Sequence, residues 1–272
     1  MGEFHIVECQ IRRTIVRVSA LSNGRSVYCL WDVFKNNSSF QNCIQKFQNL
    51  KEVKLSYQCI SDDILGILCM NRGSALQHLV ATCDSSEGLR HRIQPDSWSK
   101  LRRKYPNIKI SFRVVEVVTQ DQFLNLLPQT TEICDLSYRC GLSLQSEQNL
   151  RTHALFILQY IEQTFACFLR SITLEFGFVT IPNLGNAILD LIKACKWIES
   201  VYLSGVMRSQ LAVRMCEIAL QEGSELKNIF LIFFFTRIET IEEMNQLYEY
   251  HKQLKEKKIK FQFNLLSHHL PE

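Results

Sequence analysis

The chain has 272 residues, 46% of them hydrophobic and 21% charged, and a formal net charge of +4. That is an ordinary globular composition, with room for one elongated domain or two compact ones. The mild positive charge is scattered rather than blocked, so it gives no electrostatic reason for a nucleic-acid or membrane partner. The longest apolar run, Ile229–Phe235 (IFLIFFF), is far short of the ~20 residues that cross a bilayer.

The opening residues lack the basic and apolar regions of a secretory signal, and Ile6 breaks the myristoylation pattern begun by Gly2. Cysteine occurs 11 times, mostly at apolar positions such as Cys69, Cys83, Cys134, Cys195 and Cys216, and never as C-x-x-C. Reduced, buried thiols in the cytoplasm or nucleus are the expectation, rather than a zinc site or a disulfide framework.

Taken in chain order, Phe4–Cys9 and Thr14–Leu21 read as strands, and a turn at Asn23-Gly24 leads into a third strand-like run, Val27–Trp31. Residues 1–49 are therefore expected to form a hairpin cap or a degenerate first repeat, with a helix at Ser39–Phe47. From residue 50 a strand signal recurs: Leu50-x-x-Val53-x-Leu55, Leu76-x-x-Leu79-x-Ala81, Ile108–Phe112, Thr131–Leu136, Leu169–Phe176, Ile198–Leu203, Leu226–Ile232 and Ile259–Phe263. Its spacing straddles the roughly 20–29-residue period of leucine-rich repeats, with insertions.

Amphipathic segments separate these strands. They are Ile64–Met70, capped by Ser61 or Asp62; Trp98–Tyr105, after the breaker Pro95; Gln122–Leu127, capped by Thr119; Leu150–Phe165; Leu184–Ala194; Met207–Glu222; and Ile241–Lys257. In the last, Met244, Leu247, Tyr248, His251 and Leu254 are expected to face inward. The polar inserts Cys83–Asp96 and 141–149 are expected loops, and Lys252–Lys260 a solvated helix end.

A strand–helix unit cannot bury its apolar faces alone, but units stacked side by side share one core. The expected fold is α/β: a leucine-rich-repeat solenoid over 50–266 with a tail at 267–272, parallel strands on the concave face and helices on the convex face. A doubly wound sheet is the alternative that the same alternation permits.

Two segments carry a family resemblance. LKEVKLSYQCISDDIL, from Leu50 to Leu65, resembles the cysteine-containing leucine-rich repeat. Trp98-x-x-Leu101 followed by Tyr105-Pro106-x-Ile108-Lys109-Ile110 looks like the Trp-anchored repeat of F-box/leucine-rich-repeat proteins. The resemblance implies a substrate-recognition module of a Skp–cullin–F-box ubiquitin ligase. Met1–Leu50 contains no L-P-x-E segment, so a Skp-type adaptor and a cullin are expected only for a longer form that carries an F-box.

No catalytic fingerprint is present: there is no G-x-S-x-G, P-loop, H-E-x-x-H or dinucleotide motif. No cofactor and no metal are expected. Asp62-Asp63 reads as helix capping, Trp98 as core, His153 as isolated, and His268-His269 as solvated. An α/β enzyme with an unseen site stays open as an alternative, as does a scaffold unconnected to ubiquitin.

Strand alternation assigns a concave protein-binding face. Its members are Lys51, Glu52, Lys54 and Tyr57 from the first strand, Gln77 and His78 from the second, and Lys109 and Ser111 from the third. Later strands add Tyr138; Arg170, Ser171 and Thr173; Glu199 and Tyr202; and Lys227 and Asn228. Tyr57 and Tyr138 occupy matching places in the internal repeat LSYQC and LSYRC. Aromatic and basic groups of this kind suit protein recognition.

Overall fold

The computed structural model describes residues 4–11, 14–21, 26–29, 41, 44–45, 50–70, 76–84, 92–115, 119–127, 129–140, 147–235 and 241–267. Most of the expected helix at Ser39–Phe47, residues 85–91 and 141–146 of the two polar inserts and the His268-His269 tail lie outside them. The chain forms two compact units, one of Met1–Val115 with Leu124–Ile133, the other of Glu116–Phe123 with Cys134–Glu272.

In the first unit the strands lie in chain order: β1 (Phe4–Ile11), β2 (Thr14–Leu21), β3 (Ser26–Cys29), β4 (Glu52–Ser56), β5 (His78–Asp84) and β6 (Lys109–Val115). β1, β2 and β3 pair antiparallel, whereas β3 to β6 are parallel. The helices α1 (Asp62–Met70) and α2 (Pro95–Lys104) fill the crossovers and pack on one another. The short helix α3 (Gln120–Leu126) follows β6.

The second unit repeats the plan with β7 (Asp135–Arg139), β8 (Ser171–Thr180), β9 (Ser200–Val206), β10 (Asn228–Phe235) and β11 (Lys260–Ser267), all parallel and in order. Between them run α4 (Glu147–Phe165), α5 (Leu184–Ala194), α6 (Ser209–Leu220) and α7 (Ile241–Glu256), each packed on the next. Each strand expected from Leu50 onward has a counterpart, as has each of the seven helices, but the one expected at Thr131–Leu136 is displaced: Gln129–Thr131 is a 3-10 turn and β7 starts at Asp135.

Parallel neighbours in chain order, joined by crossovers of one hand, place their helices on one side of the sheet. The burial agrees: β8 and β9 alternate between buried and half-buried residues. Within each unit the strand order never reverses, so the doubly wound alternative is set aside. The fold is α/β, with parallel strands alternating with helices.

The repeats also share a backbone bond. The Gln77 N–H donates to the Lys51 carbonyl and the Lys109 N–H to the Gln77 carbonyl, each at 2.8 Å. Arg170 to Cys134, Glu199 to Arg170, Lys227 to Glu199 and Lys260 to Lys227 repeat that bond at 2.7–2.8 Å.

Local chemistry sets the helix ends. The Ser61 hydroxyl accepts from the Ile64 N–H at 3.2 Å. Thr119 and Gln122 form a reciprocal cap, at 3.2 and 3.3 Å. Pro95 does not precede its helix as expected but occupies the first turn, where its missing N–H costs nothing. Trp98 is buried against Phe112, ring centroids 5.8 Å apart, and the Tyr105 hydroxyl donates to the Leu68 carbonyl at 2.8 Å, tying α2 to α1.

One helix face needs correction. On α7 only Leu247 and Leu254 of the five expected residues are buried, whereas Met244, Tyr248 and His251 are exposed. Spacing of seven residues returns a side chain to the same helix face, whereas Met244 and Tyr248 form their own i, i+4 pair outside.

Candidate functional site

Within each unit, strand alternation puts polar residues on the sheet face opposite the buried one. In the first unit its rows are Glu52–His78–Lys109, Lys54–Val80–Ser111 and Ser56–Thr82–Arg113. His78 Nε2 is hydrogen-bonded to Ser111 Oγ at 2.6 Å, and its Nδ1 lies 3.4 Å from Glu52 Oε1. The same carboxylate oxygen is 3.0 Å from Lys54 Nζ. Lys109, Arg113 and Gln77 are exposed, and Lys51 is half-buried.

In the second unit the rows are Asp135–Ser171–Ser200–Asn228–Lys260, Ser137–Thr173–Tyr202–Phe230–Gln262 and Arg139–Glu175–Ser204–Ile232–Asn264. Three cations are matched here, whereas exposed Lys260 has no carboxylate in ion-pair reach among the described residues. Arg139 Nε donates to Glu175 Oε2 at 2.6 Å, while Arg170 and Lys227 each donate to one oxygen of Glu199 at 2.9 Å. The Lys227 and Arg170 hydrogen bonds hold the Glu199 carboxyl below the usual carboxylate range. Tyr202 is half-buried, and burial, then the Glu175 charge, pushes its phenol upward.

Two expected members of the face are elsewhere. Tyr57 and Tyr138 are 1% and 0% exposed, inside the core. Tyr57 packs at 6.2 Å from the Phe112 ring, and Tyr138 stands edge-on to Phe123 at 5.7 Å. Tyr138 lies on β7 two residues past inward Leu136, and a period of two returns it to the inward face, whereas Tyr57 is turned into the core by the short 3-10 turn Tyr57–Cys59 that follows β4. The Tyr138 hydroxyl donates to Cys140 Sγ at 3.3 Å, and burial raises both groups. Cys59 and Cys140 are buried thiols.

Of the other expected face residues, Lys51, Glu52, Lys54, Gln77, His78, Lys109, Arg170, Ser171, Thr173, Glu199, Tyr202, Lys227 and Asn228 are exposed or half-buried, and Ser111 is buried between its neighbours.

Sequence reasoning missed an apolar band on the second unit's open face. Phe230, Ile232 and Phe234 are half-buried there beside Val206 and Leu266, the last 45% exposed. Phe178 joins them because β8 slips register after Glu175, at Gly177 with φ 64°. A positive-φ bulge reverses the side-chain alternation; Phe178 is 49% exposed, its ring 4.6 Å from Phe234. The signal was the unbroken run IFLIFFF, which is apolar on both faces of its strand.

Among the described residues no three His, Cys, Asp or Glu side chains are grouped to hold a metal. Asp62 instead accepts the Gln94 N–H at 2.9 Å. The sequence matches no protein-family model.

Proposed function

We propose that the chain is a non-catalytic, protein-binding leucine-rich-repeat module acting inside the cell, in cytoplasm or nucleus, as the substrate-recognition part of a Skp–cullin–F-box ubiquitin ligase. The observation that carries the binding part is the open face itself. Within each unit the strand residues that alternate with the buried ones are mainly polar or aromatic and half-buried or exposed among the described residues, and Tyr, Arg and Phe favour protein contacts. The resemblance at Leu50–Leu65 and Trp98–Ile110 carries the ubiquitin part.

The chemistry of the face supports binding over catalysis. Glu52, His78 and Ser111 lie in line as a nucleophile relay would. Yet an oxyanion hole needs donors aimed at a substrate oxygen above the sheet, and the backbone N–H groups of strands point along the sheet toward neighbouring strands. The Glu52 carboxylate is also engaged by Lys54.

The test is a pull-down with a Skp-type adaptor. The chain as written is expected not to retain the adaptor, and the same chain extended by an F-box is expected to retain it. Failure of the extended chain favours the second reading, a repeat scaffold unconnected to ubiquitin.

A further inference from the structure

The two open faces treat charge differently. In the second unit Arg139, Arg170 and Lys227 are each bonded to a carboxylate. In the first unit Glu52 is the carboxylate of the three rows, and Lys54 and His78 share it. Among the described residues none stands in ion-pair reach of Lys51, Lys109 or Arg113. Lys54, Lys109 and Arg113 in these rows, with Lys51 just before β4, therefore meet one engaged carboxylate among the residues whose side chains are described. The floor between them is low: Val80 and Ser111 are 3% and 7% exposed.

We propose that this face of the first unit docks an extended acidic segment of a partner protein, its carboxylates meeting Lys51, Lys109 and Arg113. The proposal rests on the protein-binding reading and names the partner's chemistry. Lys109 and Arg113 lie four residues apart on β6, a span of about 13 Å. An extended peptide repeats its same-side groups at about 6.6 Å, so acidic residues at alternate positions fall in step with both cations. A cation left without a carboxylate costs little in water and attracts a complementary charge from a distance. A nucleic acid suits the face less well. Its affinity comes from neutralising many phosphates, and Glu52 stands in the same row as Lys109.

The experiment is fluorescence anisotropy on the full chain with three labelled probes: an alternating Glu-Thr dodecapeptide, its Gln-Thr counterpart, and a twenty-nucleotide oligothymidine. The Glu peptide is expected to bind about tenfold tighter than the Gln peptide. The double variant Lys109→Glu, Arg113→Glu is expected to lose about that factor, and the control Lys252→Glu on α7 to lose none. If the reversed variant fails to fold by circular dichroism, Lys109→Gln, Arg113→Gln decides, with a smaller loss expected. Equal binding of the two peptides, no binding, or indifference to the variants overturns the proposal. So does an oligothymidine that binds tighter than the Glu peptide and shows the same variant sensitivity. Each of these leaves the adaptor pull-down as a separate result, so failure here does not count against substrate recognition.

Discussion

Tyr138 concentrates the chemistry of the repeat in one residue. Its ring fills space beside Phe123, Phe176 and His153, and its hydroxyl is held by Cys140. Truncation to Ala should cost about 3–5 kcal/mol, and Tyr138→Phe about 1 kcal/mol, read from urea unfolding. Thiol reactivity follows burial: the Cys195 and Cys216 thiols are both pushed up to about 12 by burial, whereas Cys167 is exposed. Mass-spectrometric mapping of iodoacetamide labelling at neutral pH should find Cys167 modified ahead of Cys59, Cys83, Cys134, Cys140, Cys195 and Cys216, which are buried, since the thiolate is the nucleophile. Glu199 gives the pH dependence. Its folded pKa is lowered, chiefly by Lys227 and then Arg170, so its contribution to stability is present above the unfolded carboxylate value. That contribution is lost as pH falls through the lower folded value. Lys227→Ala should move the Glu199 titration upward, as followed by carboxyl-carbon NMR.

At the scale of elements, much was legible because burial has a period. Leu-x-x-Leu-x-Leu marks inward strand positions, and helix stripes mark the covering layer, so β4 to β6, β8 to β11 and α1 to α7 are legible in the sequence, whereas the expected Thr131–Leu136 strand gives way to a 3-10 turn before β7. Within them, errors follow from what periodicity ignores. Taking β6 to end at Phe112 hid Arg113, the outermost cation of the proposed docking face, because the following Val-Val looks like mere continuation. The bulge in β8 was not legible either: Gly177 in LEFGFVT carries no turn signal, and only its φ of 64° shows why Phe178 points outward. Replacing Gly177 with Val puts a β-branched residue in a conformation that disfavours it. A loss of about 1–3 kcal/mol is expected, together with a drop in the Phe178–Phe234 contact seen as a change in near-ultraviolet circular dichroism. At Asn183, with φ 61°, Asn already tolerates the left-handed turn before α5, so Asn183→Gly should be close to neutral.

For the molecule as a whole, stacking makes stability a matter of neighbours. Within the second unit each strand pairs with the ones before and after it, and each helix packs on the next. Leu254→Ala removes a fully buried side chain of α7 and should cost about 2–5 kcal/mol. Amide exchange should then rise most in α7 and β11 and fade toward β7, as expected where contacts reach only one repeat away. What the sequence could not say is which side chains on the open strip act together. The His78 bridge between Glu52 and Ser111 joins three strands, and nothing in the linear spacing links those three positions. The two-sided strand β10 has a practical result. With Phe178, Phe234 and Leu266 wetted, concentrated stocks of the isolated chain should clump through this greasy spot. Ile232→Lys, on its rim, should keep the sample clear in light scattering while leaving the strand in place.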